Sequence, residues 1–185
     1  MKTPLIYGFA MALAGALLTF VMFFAGFHSS AEKMQSALGR TIGTVGSLVI
    51  AIVCLLLAMR AKRAGTPPDA PWGYGSALGA GVLTGLFAAL IGIVFAYVYF
   101  VFINPQMSEV VYQVQVAKME AKGMSSDQID RAEPMMRKMM SPVAMTIFQT
   151  IFGFLASVVL SLILAIFVRN RSVDITSGET PPALG

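Results

Sequence analysis

Residues Gly73 to Ile103 read GYGSALGAGVLTGLFAALIGIVFAYVYFVFI, without one Asp, Glu, Lys or Arg. A helix needs roughly 20 predominantly apolar residues to cross about 30 Å of hydrocarbon. This stretch exceeds that length, and alternation of the β-barrel kind is missing from it. As a helix, Gly73 to Phe102 would extend about 45 Å at 1.5 Å per residue. It must therefore tilt, or leave the bilayer before Asn104-Pro105 stops it. Trp72 and Tyr74 mark its entry, and Tyr97 and Tyr99 its exit. Aromatic residues with a polar handle favour those interfacial levels.

Three further charge-free runs surround it: one within Thr3–Glu32 with an apolar body from Leu5 to Phe27, then Thr41–Met59, then Met139–Val168. The first is longer than the roughly 7–15 apolar residues of a signal peptide, so it reads as a retained helix. Composition agrees: of 185 residues, 57% are hydrophobic and only 12% charged. Soluble domains carry about 25% charged residues, and disorder needs low hydrophobicity with high net charge. The fold class is therefore all-α integral membrane, a four-transmembrane-helix bundle. The expected helices lie at about 4–27, 41–59, 73–103 and 140–168 of one membrane domain, 1–171. A helical extracytoplasmic segment is expected at 104–139, and a disordered cytoplasmic tail at 172–185.

Charge sets the orientation. Lys2, Arg60, Lys62, Arg63, Arg169 and Arg171 form a compact set abutting helix ends. Lys33, Arg40, Lys118, Lys122, Arg131, Arg137 and Lys138 are slightly more numerous, but most are spread through a segment that also carries five acids. Density of basic residues puts both termini in the cytoplasm of a bacterial inner membrane. The +4 net charge does not indicate nucleic acid, because the basic residues are not gathered on a soluble face. Arg60-Ala61-Lys62-Arg63 can attract anionic head groups, although orientation anchoring already explains it.

Small residues predict how the helices meet. Gly75/Gly79 and Gly81/Gly85 are Gly-x-x-x-Gly pairs, with Gly92 further along the same helix. Gly153, Ser157, Ser161 and Ala165 fall at a spacing of four, on one face of the last helix. The first helix has Gly8, Ala12, Gly15 and Ala16. Close backbone approach through such residues supplies attraction that water expulsion cannot supply in a bilayer. Intrachain packing is the plain reading, and a homo-oligomer or membrane-protein partner is the alternative. Pro4-Leu5-Ile6-Tyr7-Gly8 and Pro71-Trp72-Gly73-Tyr74-Gly75 open two helices alike, which is compatible with a duplicated hairpin or with recurrent interfacial chemistry.

Chemistry-bearing groups are few. One cysteine, Cys54, excludes an intrachain disulfide and a cysteine zinc cluster; one histidine, His28, excludes a multi-histidine metal site. His28 reads first as an interfacial polar residue. The polar residues expected inside the spans are neutral, and Ser and Thr among them can bond the preceding turn. Gln149 differs, since a primary amide in hydrocarbon wants a partner on another helix. Proton relays and charge-coupled transport usually need an intramembrane charge, so these classes and an enzyme are not expected. Neither is a cofactor. Gly73-Tyr74-Gly75-Ser76 lacks the lysine and preceding strand of a phosphate loop.

The segment between the last two spans carries helical periodicity in Val110, Val111, Val114, Ala117 and Ala121, a stop at Gly123, and a capping box, Ser125 with Gln128. Pro134 predicts a kink or break in the helix that follows. Met135, Met136, Met139 and Met140 make a candidate contact surface, with an adaptable apolar face preferred to a soft-metal site because no His or Cys accompanies them.

The order of these pieces resembles an uncharacterised bacterial membrane family, domain of unknown function 4199 (DUF4199). The matching stretches are Tyr7-Gly8, Tyr74-Gly75-Ser76-Ala77-Leu78, Ile103-Asn104-Pro105, and Lys122-Gly123-Met124-Ser125 through Ile129. The resemblance covers most of 4–171 and implies four membrane helices with no established activity, so it assigns no catalytic residue. Two functions remain. The first is a non-enzymatic membrane protein acting through contacts, as an assembly, scaffold or accessory subunit among membrane lipids. The second is an oligomeric transporter or channel for a neutral or lipophilic solute. A mid-membrane cavity involving Gln149, Thr150 or Ser157 would favour the second, and a solid interior the first.

Overall fold

Each long apolar stretch forms one helix in the computed structural model, which describes residues 2–67, 70 and 72–168. The expected tail, 172–185, lies outside the described residues. The spans are α1 (Lys2–Phe24), α3 (Ala37–Ala64), α4 (Tyr74–Val98) and α7 (Pro142–Val168). Between them lie the short α2 (Ala31–Gln35) and the α5 (Met107–Ala121) and α6 (Ser126–Met139) pair. No strand occurs among the described residues.

The spans keep large apolar side chains outward: Phe24 is 81% exposed and Phe167 77%, with Phe102, Phe152, Ile6 and Val94 also open. An apolar patch of that extent is foreign to a soluble monomer and natural in hydrocarbon. This is a multi-pass membrane protein with four candidate spans.

Span boundaries differ from the sequence reading: the first ends at Phe24 rather than Phe27, and the second shifts at both ends. The second span begins at Ala37, before the expected Thr41, because Ser36 accepts a hydrogen bond from Gly39 N at 3.1 Å and caps the helix. It also runs through Arg60–Arg63 to Ala64, where Lys62 and Arg63 suit the negative end of the helix dipole. At 28 residues it is about 42 Å long, so Arg40 at one end and Arg60 to Arg63 at the other stand near or beyond the hydrocarbon boundaries.

The helix through Pro134 is the other correction. No break occurs there: α6 is continuous from Ser126 to Met139, and the chain turns only at Met140-Ser141, before Pro142 opens α7. Pro134 and Asp130 are both exposed, so the Asp130 carbonyl that loses its N–H partner meets solvent instead. The Ser125–Gln128 capping box and the Gly123 stop, at φ +78°, stand where the sequence puts them. Arg137 ties α6 to α5, bonding Glu109 at 2.9 Å and Glu133 at 2.6 Å and lying 4.3 Å over the Tyr112 ring.

Helix α4 is the centre of the bundle, packed chiefly on α7 and α1, with α3 against all three. At the end where α1 starts and α7 finishes, Met59, Trp72, Ala77, Ala80, Ala165 and Val168 form a closed core. Trp72, at the entry to α4, is only 5% exposed in that core, with its indole N–H unpaired among the described residues. Arg63 Nη1 reaches the Val168 carbonyl at 3.4 Å, so α3 supplies a donor to the end of α7. At the opposite end Ala96, Tyr99 and Phe100 pack with Phe20, Phe23, Met107 and Met145, a cluster without an α3 residue.

Candidate functional site: a cleft between the spans

Glycine placement separates packing from space. A Cβ on Gly8 would lie 2.7 Å from Phe87 Cβ and 2.8 Å from the Thr84 carbonyl oxygen, so α1 and α4 touch through their backbones. One on Gly81 would lie 2.8 Å from Ser161 Cβ, and one on Gly85 2.8 Å from Ser157 Cβ. Those two glycines and two serines are therefore the α4–α7 seam, and Ser157 and Ser161 are buried in it. Gly75, Gly79, Gly92 and Gly153 are different: nothing lies within 4 Å of where their Cβ would sit. Gly75 is exposed and Gly79 half-buried on α4, away from any close crossing. The two Tyr-Gly openings thus do different work, Gly8 at a crossing and Gly75 in the open.

Gly92 and Gly153, with Gly15 and Gly43, border a cavity of about 530 Å³ among all four spans. Its α1 wall includes Met11, Ala12 and Thr19, and its α4 wall Ala88, Ala96 and Tyr99. Every lining residue from α1 and α4 is buried or half-buried. On α3, by contrast, Thr44, Ser47 and Leu48 are exposed, and on α7 so are Gln149, Gly153 and Ala156. The cavity is a cleft that opens sideways between α3 and α7. These helices converge only at the closed end, where Met59 and Ala165 share a core.

No Asp, Glu, Lys or Arg lines the cleft among the described residues. Most of its hydroxyls are spent on their own helices: Thr19 on the Gly15 carbonyl, Ser47 on that of Thr44, Thr150 on that of Thr146, and Ser157 on that of Phe154. Gln149, expected to need a partner across helices, stands exposed at the mouth instead. The lateral opening is the reason, since no neighbouring span covers it.

One built polar group remains, at the end of the cleft near α2 and α5. The last turn of α4 widens into a π-turn, Tyr99–Ile103, closed by the Asn104 N–H on the Tyr99 carbonyl at 2.7 Å. Such turns are frequent at functional sites. Here the turn sets Tyr99 inward, 3% exposed, with Phe20, Phe23, Phe100 and His28 edge-on to its ring. Asn104 Nδ2 donates to Tyr99 Oη at 3.0 Å, and His28 Nδ1 lies 2.6 Å from the same oxygen. With Oη accepting from Asn104, the phenol proton satisfies all three groups by going to His28 Nδ1. That leaves the imidazole proton on Nε2. Burial holds the His28 pKa below its ordinary value, so the ring is neutral at pH 7.

Sequence reading placed Tyr99 and His28 at the interface and used Asn104 only as a helix stop. The signal that joins them is depth: His28 follows the end of α1, and Tyr99 and Asn104 bound the π-turn that ends α4 on the same side of the bundle. The methionines divide as well. Met135 and Met139 are exposed on α6, whereas Met136 and Met140 are half-buried, and no group of three His, Cys, Asp or Glu that could hold a metal occurs among the described residues.

Fold and site together define a four-span membrane bundle with an uncharged lateral cleft. The chain belongs to the family described as protein of unknown function (DUF4199), whose model matches residues 6–170. No curated protein and no solved structure matches it.

Proposed function

We propose that this is a non-enzymatic protein of the bacterial inner membrane, both termini cytoplasmic, that takes an uncharged lipophilic solute from the bilayer into the cleft between α3 and α7. The cleft itself carries the reading. Its volume of about 530 Å³ falls within the roughly 300–1,000 Å³ of ligand sites. It faces hydrocarbon, has no charge on its described lining, and includes Gln149, Thr150 and Ser157. One neutral imidazole, with no carboxylate or amine among the described residues of the lining, gives little support to acid–base chemistry. The closed core around Met59 and Ala165 supports one-sided exchange over a continuous pore through a single chain.

The test is purification of the full chain in native lipid, with mass spectrometry of bound molecules, beside Gly153→Leu. Nothing lies within 4 Å of where a Gly153 Cβ would sit, so leucine there extends into the mouth of the cleft. The expected result is a lipophile enriched on the native chain and at least tenfold depleted on the variant, with little change in the thermal midpoint. Identical lipid content on both overturns the reading.

Exposure of Met135 and Met139 supports a second reading, in which the α5–α6 pair contacts a membrane-protein partner or another copy of the chain. Co-purification of one protein in stoichiometric amount, lost on Met135→Glu with Met139→Glu, would favour it.

A further inference from the structure

The polar groups of the cleft are unevenly placed along its length. At the α5 end lie His28 and Tyr99, followed by Thr19, Thr44, Ser47, Gln149 and Thr150. At the other end the lining is Met11, Ala12, Ile50, Ala51 and Leu160, with Ser157 the one hydroxyl, already given to the Phe154 carbonyl. With the tautomer argued above, the Asn104–Tyr99–His28 chain leaves the His28 Nε2–H over for a ligand; Thr19, Ser47 and Thr150 donate to their own helices, and Thr44 and Gln149 stand exposed at the mouth. Along α4, Tyr99 and Gly85 stand about 21 Å apart at 1.5 Å per residue, both on the lining.

A purely apolar guest would leave the half-buried His28 donor, at the end of the cleft beyond α1, without a partner from the ligand, which is unfavourable. A charged head would find no counter-charge on the described lining and would remain at the interface. The ligand that meets both conditions has one oxygen acceptor and one long chain.

We propose that the cleft holds an uncharged single-chain amphiphile in one orientation, its carbonyl or ether oxygen accepting from His28 Nε2 and its chain running toward Met11 and Leu160. His28 is the contact residue, and Tyr99 and Asn104 are positioning residues that fix its tautomer. This rests on the reading of the cleft as a lipid-facing binding site and assigns that site its ligand class and polarity.

The probe is a monoacylglycerol with a photoreactive diazirine at the chain terminus, added to the full chain in nanodiscs. Crosslinked residues are mapped by mass spectrometry, with palmitate above pH 8 and hexadecane as competitors. On the native chain, saturable labelling is expected around Met11, Ala156 and Leu160. Unlabelled monoacylglycerol should compete at least tenfold better than palmitate or hexadecane. His28→Leu should lower labelling about tenfold or scatter it along the cleft, and His28→Gln, which keeps a donor, should restore part of it. Tyr99→Phe should weaken binding less than His28→Leu.

Saturable labelling that centres near His28, or that ignores His28→Leu, overturns the orientation while leaving the cleft as a binding site. Labelling that does not saturate, or that is unchanged by Gly153→Leu, overturns the binding site itself. The native labelling map needs no variant and stands even where His28→Leu misfolds.

Discussion

The two halves of the bundle use the same residue for opposite ends. Near the closed end, Gly8, Gly81 and Gly85 stand where a single added methyl would meet backbone or Cβ within 3 Å. Toward the other end, Gly15, Gly92 and Gly153 have open space at the same position. A glycine in a membrane helix therefore identifies a close approach or a void, and sequence alone does not distinguish them. Only the neighbouring helix does. In the closed half α7 answers Gly81 and Gly85 with serines, although Gly75 and Gly79 meet nothing; in the open half α3 diverges from α7.

The largest expected effect comes from closing the tight half. Gly8→Ala and Gly85→Ala should each destabilise the bundle by about 1–3 kcal/mol, the usual range for overpacking, seen as a lower thermal midpoint in detergent. A midpoint equal to that of the native chain would mean the seam is looser than its distances.

The same substitution type in the open half should behave otherwise. Gly92→Leu should hold or slightly raise the midpoint, since replacing a helical glycine contributes up to about 0.8–1 kcal/mol. It should also remove bound lipophile. Equal destabilisation by Gly92→Leu and Gly85→Leu would erase the distinction between the halves.

Acidity gives a smaller and signed effect. The folded pKa of His28 is lowered by burial, below the unfolded value of about 6.5. The neutral ring therefore stabilises the fold fully above that value, and the contribution is lost as pH falls through the folded pKa. A midpoint that falls as pH drops below the unfolded value of about 6.5 in the native chain, and less so in His28→Gln, checks it.

The smallest effect lies outside both halves. Arg137→Ala breaks an exposed ion-pair group between α5 and α6 and should change stability only slightly, less at high salt. A melt with and without 0.5 M salt measures it.

Legibility followed the same division. Four spans, the α5–α6 pair, the Gly123 stop and the Ser125 box were all written in hydropathy and local turn chemistry, which act within a few residues. The Gly81–Ser161 and Gly85–Ser157 seam was half legible: the small-residue stripes were plain, but not which glycines they would meet. Gly75 and Gly79 satisfy the same spacing as Gly81 and Gly85 and stand apart from any crossing. The cleft was invisible because it depends on the divergence of α3 from α7, a relation between elements far apart in the chain. Tyr99 and His28, 71 positions apart, meet only through the π-turn, and no local pattern in YFVFI separates that turn from ordinary helix.

That turn also acts as a phase shifter. Each helical residue advances the chain by about 100°, so the extra residue held in Tyr99–Ile103 rotates everything beyond it relative to α4. Deleting one residue from this turn would restore a regular helix and swing Asn104 away from the Tyr99 hydroxyl. The α5–α6 pair would then emerge on another side of the bundle. A one-residue length difference here, between otherwise similar chains, would redirect the whole outer segment while leaving all four spans intact.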